Sequence, residues 1–412
     1  MDFEPWWLIL VPVLFGLGWI AARVDFRQML SETRTLPDSY FKGLNFLLNE
    51  EPDRAIDAFV EVAKLDPETS ELHFALGSLF RRRGEMERAI RVHQSLLART
   101  DLPVEDRENA QFELAQDFLK AGMLDRAEQG FQAVQHTRHA VDAVRALIRI
   151  YESEHDWARA IETVNQLRAL VDEPVPQLVH YQCEQATALL DALPADLAGA
   201  ARALEAADNA LIQLRKAGPS EAAETRILML RARLAAAQGN PEGQRAQLQE
   251  VLSTAPEYAG LVAQPLLECY ESIGQSDQGL DLLRAHYLRT PTLDTFNVVF
   301  RALRAQQGYL PAWTFAREAL RAHPSLLGLD RLLEVELMHA DKAGGETSGR
   351  REGELVPGAD LGLLRSMIHK HTQRLDRYAC RQCGFEARHF YWQCPGCNAW
   401  ETYSPRRLEE LK

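Results

Sequence analysis

The chain is poor in cysteine for its length. Of 412 residues six are cysteine, and only Cys183 and Cys269 precede residue 380. Disulfide-stapled secreted domains scatter paired cysteines along the whole chain, so that class is excluded and a reducing compartment is expected. Basic side chains are also in deficit: 46 Lys and Arg face 59 Asp and Glu, a net charge of −13. An acidic surface repels phosphate backbones, so no nucleic-acid partner is expected. Strand signals are scarce. No nucleophile–base pair, phosphate-cradling glycine loop or paired-carboxylate motif stands out, and no enzymatic activity is expected. With 46% hydrophobic and 25% charged residues the chain is nevertheless too apolar to be disordered.

What is present begins with an uncharged run. Residues 6–22, WWLILVPVLFGLGWIAA, carry no charge. A helix of that length spans about 25 Å, the short end of a bilayer core. Trp6, Trp7 and Trp19 sit near its ends, where indoles favour the interface. Pro12, Gly16 and Gly18 are tolerated in a membrane span. A cleaved signal peptide would need a basic leader, and MDFEP is acidic. Arg23 and Arg27 follow the run directly, which places the large C-terminal part in the cytoplasm. The expectation is a single-pass anchor over 1–22, followed by a juxtamembrane stretch over 23–38.

Between 39 and 340 the apolar residues recur at helical spacing, and the segment repeats itself. Asp53-Arg54-Ala55-Ile56 returns as Glu87-Arg88-Ala89-Ile90, thirty-four positions later. Related pairs follow at Arg126-Ala127 and Arg159-Ala160. Gly43 precedes Ala55 by twelve residues, Gly77 precedes Ala89 by twelve, and Pro67 follows Ala55 by twelve. Glycines at 84, 122, 239, 274 and 308 mark turns between helices, and Pro256, Pro291 and Pro324 close units. These offsets resemble the tetratricopeptide repeat. They predict a mainly α fold of roughly eight helical hairpins stacked into a superhelix with a peptide- or protein-binding groove.

The stretch 175–220 is Ala-rich and less regular, which fits a degenerate or a lengthened repeat. Phe118, Tyr151, Trp157 and Trp313 are candidate groove anchors, with packing inside the repeats as the alternative. The histidine pairs His136/His139 and His369/His371 read as solvated. Cys183 and Cys269 read as small buried hydrophobes.

Residues 341–359 (DKAGGETSGRREGELVPGA) have the composition of a flexible linker. A helix follows within 360–377, with Leu361, Leu364, Ile368 and Leu375 near one face. The end of the chain, 378–412, opens with YACRQCGFEARHFYWQCPGCNAWETY. Cys380-x-x-Cys383 and Cys394-x-x-Cys397 are separated by ten residues, and two such turns aim four thiolates at one ion. Gly384 and Gly396 suit the tight turns in which backbone N–H groups point at sulfur. Phe385, Phe390, Tyr391, Trp392 and Trp400 supply a small core. All four ligands come from the protein, so a structural site is expected, and metal binding there is also folding energy. Zinc and iron both suit four thiolates, and spacing does not separate them. Arg374, Arg377, Arg381 and Arg388 make this end locally basic.

The knot resembles rubredoxin, which implies iron and leaves zinc possible, and which keeps a rubredoxin-like electron carrier as an alternative. The order of anchor, repeats and knot resembles the lipopolysaccharide assembly protein B family of Gram-negative bacteria. The likeness is carried by DSYFKGLNFLL (38–48), LGSLFRRRGEMERAIRVHQ (76–94) and YWQCPGCNAW (391–400). It implies an inner-membrane, cytoplasm-facing adaptor. Such a protein regulates lipopolysaccharide output by presenting the lipid A deacetylase LpxC to the protease FtsH, under restraint from an inner-membrane sensor protein. It also implies contact with lipopolysaccharide synthesis or export proteins, and a non-proteolytic scaffold for those enzymes is the alternative. Cys380, Cys383, Cys394 and Cys397 occupy the family's metal-ligand positions.

Overall fold

Each short amphipathic helix leaves an apolar stripe that one neighbour cannot cover, so the helices pair and the pairs stack. A computed structural model of the chain describes residues 42–43, 45–46, 49, 51–65, 70–171, 174–215, 220–344 and 359–411. The expected anchor and most of the expected linker lie outside these residues. Among the described residues no helix is long and apolar enough to cross a membrane. The chain forms two compact units, Met1–Ile150 and Tyr151–Lys412.

The first unit contains α1 (Pro52–Leu65), α2 (Ser70–Arg82), α3 (Met86–Leu97), α4 (Val104–Lys120) and α5 (Leu124–Ala133), and it ends within α6 (Ala140–Ser153). Helices α2 with α3 and α4 with α5 form successive hairpins. The repeated alanines are where helices cross: Ala55, Ala89 and Ala127 are completely buried. Phe59, Leu72, Leu76 and Phe80 pack around the first two. Gly77 serves the same closeness, because a Cβ there would lie 2.3 Å from the His93 ring. That ring is fully buried, and its Nδ1 meets Asp117 Oδ2 at 2.5 Å. Arg81 donates to Asp117 Oδ1 at 2.8 Å and also pairs with Glu113, so the buried carboxylate is compensated.

The second unit continues the pattern with α7 (Trp157–Leu170), α8 (Gln177–Asp191), α9 (Leu197–Arg215), α10 (Glu221–Ala237), α11 (Pro241–Thr254), α12 (Ala259–Ser272), α13 (Ser276–Arg289), α14 (Leu293–Gln306) and α15 (Tyr309–Ala322). From α8 to α15 they pair in chain order as hairpins. Gly84, Gly122, Gly239, Gly274 and Gly308 all have positive φ, as the helix-ending turns require. In the turn before α7 the left-handed position is held by His155 at φ 57°, which sequence inspection passes over. Pro256, Pro291 and Pro324 stand just before the next helix starts.

The irregular stretch 175–220 is a hairpin of 15 and 19 residues, α8 and α9. Its seam is Cys183, Ala186, Ala200, Ala203 and Ala207, whose small side chains bring the two helices together. Burial pushes the Cys183 thiol up to about 12, in keeping with a packing role.

Helix α16 (Leu326–Gly344) runs four residues into the stretch read as linker. Helix α17 (Ala359–Leu375) packs on it, through only half of the face expected. Leu361 and Leu364 are exposed, while Arg365, Ile368, Thr372 and Leu375 are covered or half-covered. The contact is organised by charge instead. Buried Asp330 on α16 receives Arg365 at 3.5 Å and His369 at 3.2 Å, and Arg365 also reaches Glu334 at 3.3 Å. His369 and His371 are both exposed, in keeping with the solvated reading, and His369 also reaches Asp330.

The two glycine environments make a direct test. Gly77→Ala overpacks the His93 ring and should cost about 1–3 kcal/mol. Gly362→Ala on α17, whose added Cβ meets only Leu337 at 4.0 Å, should be neutral or stabilising by about 0.5–1 kcal/mol. Thermal unfolding of the two variants checks both signs.

Candidate metal centre

Residues 378–411 carry so little apolar material that their fold is organised by turns and sulfur. Strand β1 (Tyr378–Ala379) pairs antiparallel with β2 (Glu386–Ala387), and single bridges join Cys380 to Tyr403 and Gln393 to Trp400. The hairpin and the second bridge each present one Cys-x-x-Cys turn. The turns are built alike: Gly384 N–H donates to Cys380 O at 3.0 Å, and Asn398 N–H donates to Cys394 O at 2.8 Å. Both donors have positive φ, 74° and 56°. The left-handed position of the second turn is thus Asn398, a residue that tolerates it, and not Gly396. Gly396 instead donates its N–H to Cys394 Sγ at 3.3 Å, as Gln382 does to Cys380 Sγ at 3.4 Å.

The four sulfurs of Cys380, Cys383, Cys394 and Cys397 lie within 4.8 Å of one another. Cys380 to Cys397 is 3.8 Å and Cys383 to Cys394 is 3.6 Å. These separations are far beyond a disulfide bond, and all four cysteines are free. They match the edge of a tetrahedron of thiolates around an ion with bonds near 2.3 Å, which is about 3.8 Å. The donor set therefore fits a four-coordinate ion.

The proton affinities point the same way. Burial works against the Cys380 thiolate, but hydrogen bonds from Thr402 and from the backbone at Cys383 and Gln382 bring this thiol down to about 6. At Cys397 the Ala399 N–H favours the thiolate, yet burial and the neighbouring cysteines prevail and push it up to about 12. Four thiols this close resist joint ionisation until a cation supplies the missing charge.

The aromatic residues do not all go where the sequence suggests. The knot's own core is Tyr378, Cys380, Cys394 and Tyr403, with Phe390 against them. Phe385 and Tyr391 are 43% and 40% exposed. Trp392 and Trp400 instead turn to the repeats. Trp400 stacks on His180 with centroids 4.8 Å apart and planes 7° apart, and it meets Trp157 and Tyr181 edge-on. Its indole N–H donates to Glu152, to which Gln393 also donates. Trp392 stacks on Tyr258 at 5.9 Å. The guanidinium of Arg226 lies 5.5 Å from each of these two indoles.

Arg226 is 3% exposed, pairs with Glu184, and donates to His180 Nδ1 at 3.2 Å. Arginine has no acceptor, so His180 carries its proton on Nε2, which donates to Glu401 Oε1 at 2.9 Å. Burial, reinforced by Arg226, lowers the His180 pKa despite Glu401, consistent with a neutral ring. Glu401 also accepts from Ser220 at 2.9 Å.

A second patch holds the end of the chain. Arg407 binds Asp294 at 2.6 Å and Asp376 at 2.6 Å, and Tyr378 donates to Asp294 at 2.6 Å. Glu410 accepts from Leu293 N–H at 3.0 Å, and Glu409 accepts from the N–H groups of Leu326 and Leu327. Each carboxylate therefore accepts from the N-terminus of a helix, α14 or α16, and at Glu410 burial raises the pKa despite the Arg407 and Leu293 N–H groups. None of these residues carries a spacing signal, so sequence inspection misses them.

The other candidates are structural. Phe118 and Tyr151 are buried under Arg126 and Arg159, and the Trp313 indole N–H donates to Glu336. Trp157 faces the knot through Trp400. His139 stacks on Phe112 at 4.5 Å, and His136 is exposed. Cys269 is buried and donates to Pro241 O.

Two substitutions test this arrangement. Cys394→Ser should reduce metal content well below one ion per chain, measured by elemental analysis of the purified full chain. Arg226→Ala should leave Glu184 and the two indoles without their cation. Loss of such a buried partner costs about 3–5 kcal/mol, and it should appear as faster hydrogen exchange over 391–402.

Two family models agree with this architecture. The rubredoxin metal binding domain family matches residues 378–405, and the tetratricopeptide repeat family matches residues 42–101. A crystal structure of a tetratricopeptide repeat protein from Parabacteroides merdae aligns with 73% of this chain and 100% of its own, at 12% identity and a TM-score of 0.30. Lipopolysaccharide assembly protein B of Haemophilus influenzae is 27% identical over 414 residues, 98% of each chain. Lipopolysaccharide assembly protein B of Escherichia coli K12 is 30% identical over 402 residues, 97% of each chain. With that identity running through repeats and knot alike, the chain belongs to the lipopolysaccharide assembly protein B family.

Proposed function

We propose that this protein is a single-pass inner-membrane adaptor that regulates lipopolysaccharide biosynthesis. In this reading its repeats and its knot face the cytoplasm, and it promotes FtsH-dependent proteolysis of LpxC. The observation that carries the reading is the 97% two-way coverage with Escherichia coli lipopolysaccharide assembly protein B. A shared domain would match one module, whereas here the match runs from the anchor region to the last cysteine pair. Tetratricopeptide arrays bind proteins, which supports an adaptor over an enzyme.

Residues 6–22 serve as the anchor, and anchoring raises the effective concentration of adaptor near a membrane-bound protease. Cys380, Cys383, Cys394 and Cys397 hold one ion, iron by the rubredoxin resemblance. With four protein thiolates around it, the ion has no open position for a substrate. Its role is to fix the turns that bear Trp392 and Trp400. A ferric ion in this site would colour the purified protein through thiolate charge transfer, whereas zinc would leave it colourless.

The test is the half-life of LpxC in cells with and without this protein. Depletion should lengthen it severalfold and raise lipopolysaccharide. A variant lacking residues 6–22, expressed at native level, should fold but fail to restore the short half-life. An unchanged half-life on depletion would overturn the proteolytic reading, and full rescue by the truncated variant would overturn the role given to the anchor.

A further inference from the structure

The C-terminal domain touches the repeats at two patches that differ in what holds them together. The first patch consists of residues that flank the second cysteine turn. Trp392 and Gln393 precede Cys394, and Trp400 and Glu401 follow Cys397. Their geometry depends on that turn: Cys394 N–H donates to Ala399 O at 2.9 Å, and Glu401 N–H donates to Trp392 O at 2.9 Å. Asn398 and Glu401 both have positive φ, a conformation that Asn tolerates but that a glutamate adopts only rarely. The second patch lies outside the cysteine turns. Arg407 is clamped between Asp294 and Asp376, Leu408 N–H donates to Arg377 O at 2.8 Å, and Glu409 and Glu410 sit on helix N-termini.

We propose that the ion at the four cysteines governs the first patch alone: when it is lost, residues 392–401 leave the array face formed by Trp157, His180, Tyr181, Arg226 and Tyr258, while residues 406–411 keep the domain attached. The domain is then a metal-held cover over an aromatic, cationic face, tethered at its far end. The inference rests on the metal-site reading and not on the role in lipopolysaccharide regulation. An ion shared by the four sulfurs, which lie within 4.8 Å of one another, would tie the second turn to the first; without it the second turn is closed by its own backbone hydrogen bonds alone. The face beneath would then lose its two indoles and the Glu401 carboxylate together. The tail contacts are charge pairs and helix-end hydrogen bonds that need no sulfur.

The test uses the full chain in detergent, metal-loaded, after removal of metal by a chelator, and after re-addition of zinc(II). Metal content is measured at each stage, and hydroxyl-radical labelling read by mass spectrometry reports side-chain exposure. On metal removal, labelling of Trp157, His180 and Tyr258 should rise severalfold, that of Leu293 and Leu327 should not change, and re-addition should reverse the rise. Cys394→Ser should show the metal-free pattern without a chelator. A Glu409→Gln/Glu410→Gln variant should raise labelling at Leu293 and Leu327 while metal is still bound. A chain that carries no ion at these cysteines overturns the proposal at the first measurement. Equal rises at both patches would also overturn it, since the domain would then leave as a whole. Unchanged labelling at Trp157 and His180 in metal-free protein would show docking to be independent of the ion.

Discussion

A pair of short helices has more apolar surface than it can cover by itself, and much of this molecule follows from that shortfall. Ala55, Ala89, Ala127 and Ala160 recur because the crossing point of a hairpin must be narrow, and each is completely buried. Gly77 is a more extreme case, admitting the His93 ring against bare backbone. Other seams are met by other means. Between α8 and α9 a run of alanines keeps the helices close, and α9 extends to 19 residues. Farther along the chain, larger residues such as Phe296, Phe300 and Phe315 close the gap by stacking.

The knot faces the same shortage more severely, because about thirty residues with two-residue strands cannot build a self-sufficient core. Two solutions operate together. Four converging sulfurs supply a site where one ion would do the work of a core. Two of the remaining rings are turned outward onto the repeats, so that Trp392 and Trp400 are covered by Tyr258, His180 and Arg226. Burying Arg226 and His180 beneath these rings adds little net stability, because desolvation offsets much of the attraction. What the arrangement supplies is register. Arg226 can only donate, which fixes the His180 tautomer, and that in turn requires an acceptor at Glu401.

Much of this was legible in sequence wherever a local rule forces a residue type. Turn glycines announce themselves because the helix-ending position demands positive φ, and the five read as turns all adopt it. The cysteine spacing singles out the four residues whose sulfurs the structure brings together. Where two residue types can satisfy one constraint, the rule is silent: His155 and Asn398 take left-handed positions without a glycine to mark them. Hydrophobic periodicity places only part of the inner face of α17: Ile368 and Leu375 are half-covered, but the buried carboxylate of Asp330 takes Arg365 into the contact and Leu361 and Leu364 stay outside. The aromatic cluster of the knot was visible as composition, but its division between inside and docking surface depends on repeats some two hundred residues earlier in the chain. Long-range partners leave no spacing to read.

Asp294 shows how deeply the docking is built into the repeats. It lies in the first turn of α14, where the helix dipole favours a carboxylate, and it accepts from both Tyr378 and Arg407. Its position is possible because residue 260 on α12 is glycine: a Cβ there would lie 2.6 Å from Asp294 Cβ. A methyl group at Gly260 would therefore push the first turn of α14 away from α12 and carry the acceptor with it. The neighbouring Leu293 N–H, which holds Glu410, would move as well. Contact with the tail is thus set by a small residue inside the array, far from the chemistry of the cysteines. The same closeness that lets two repeats stack also aims the charges that receive the end of the chain.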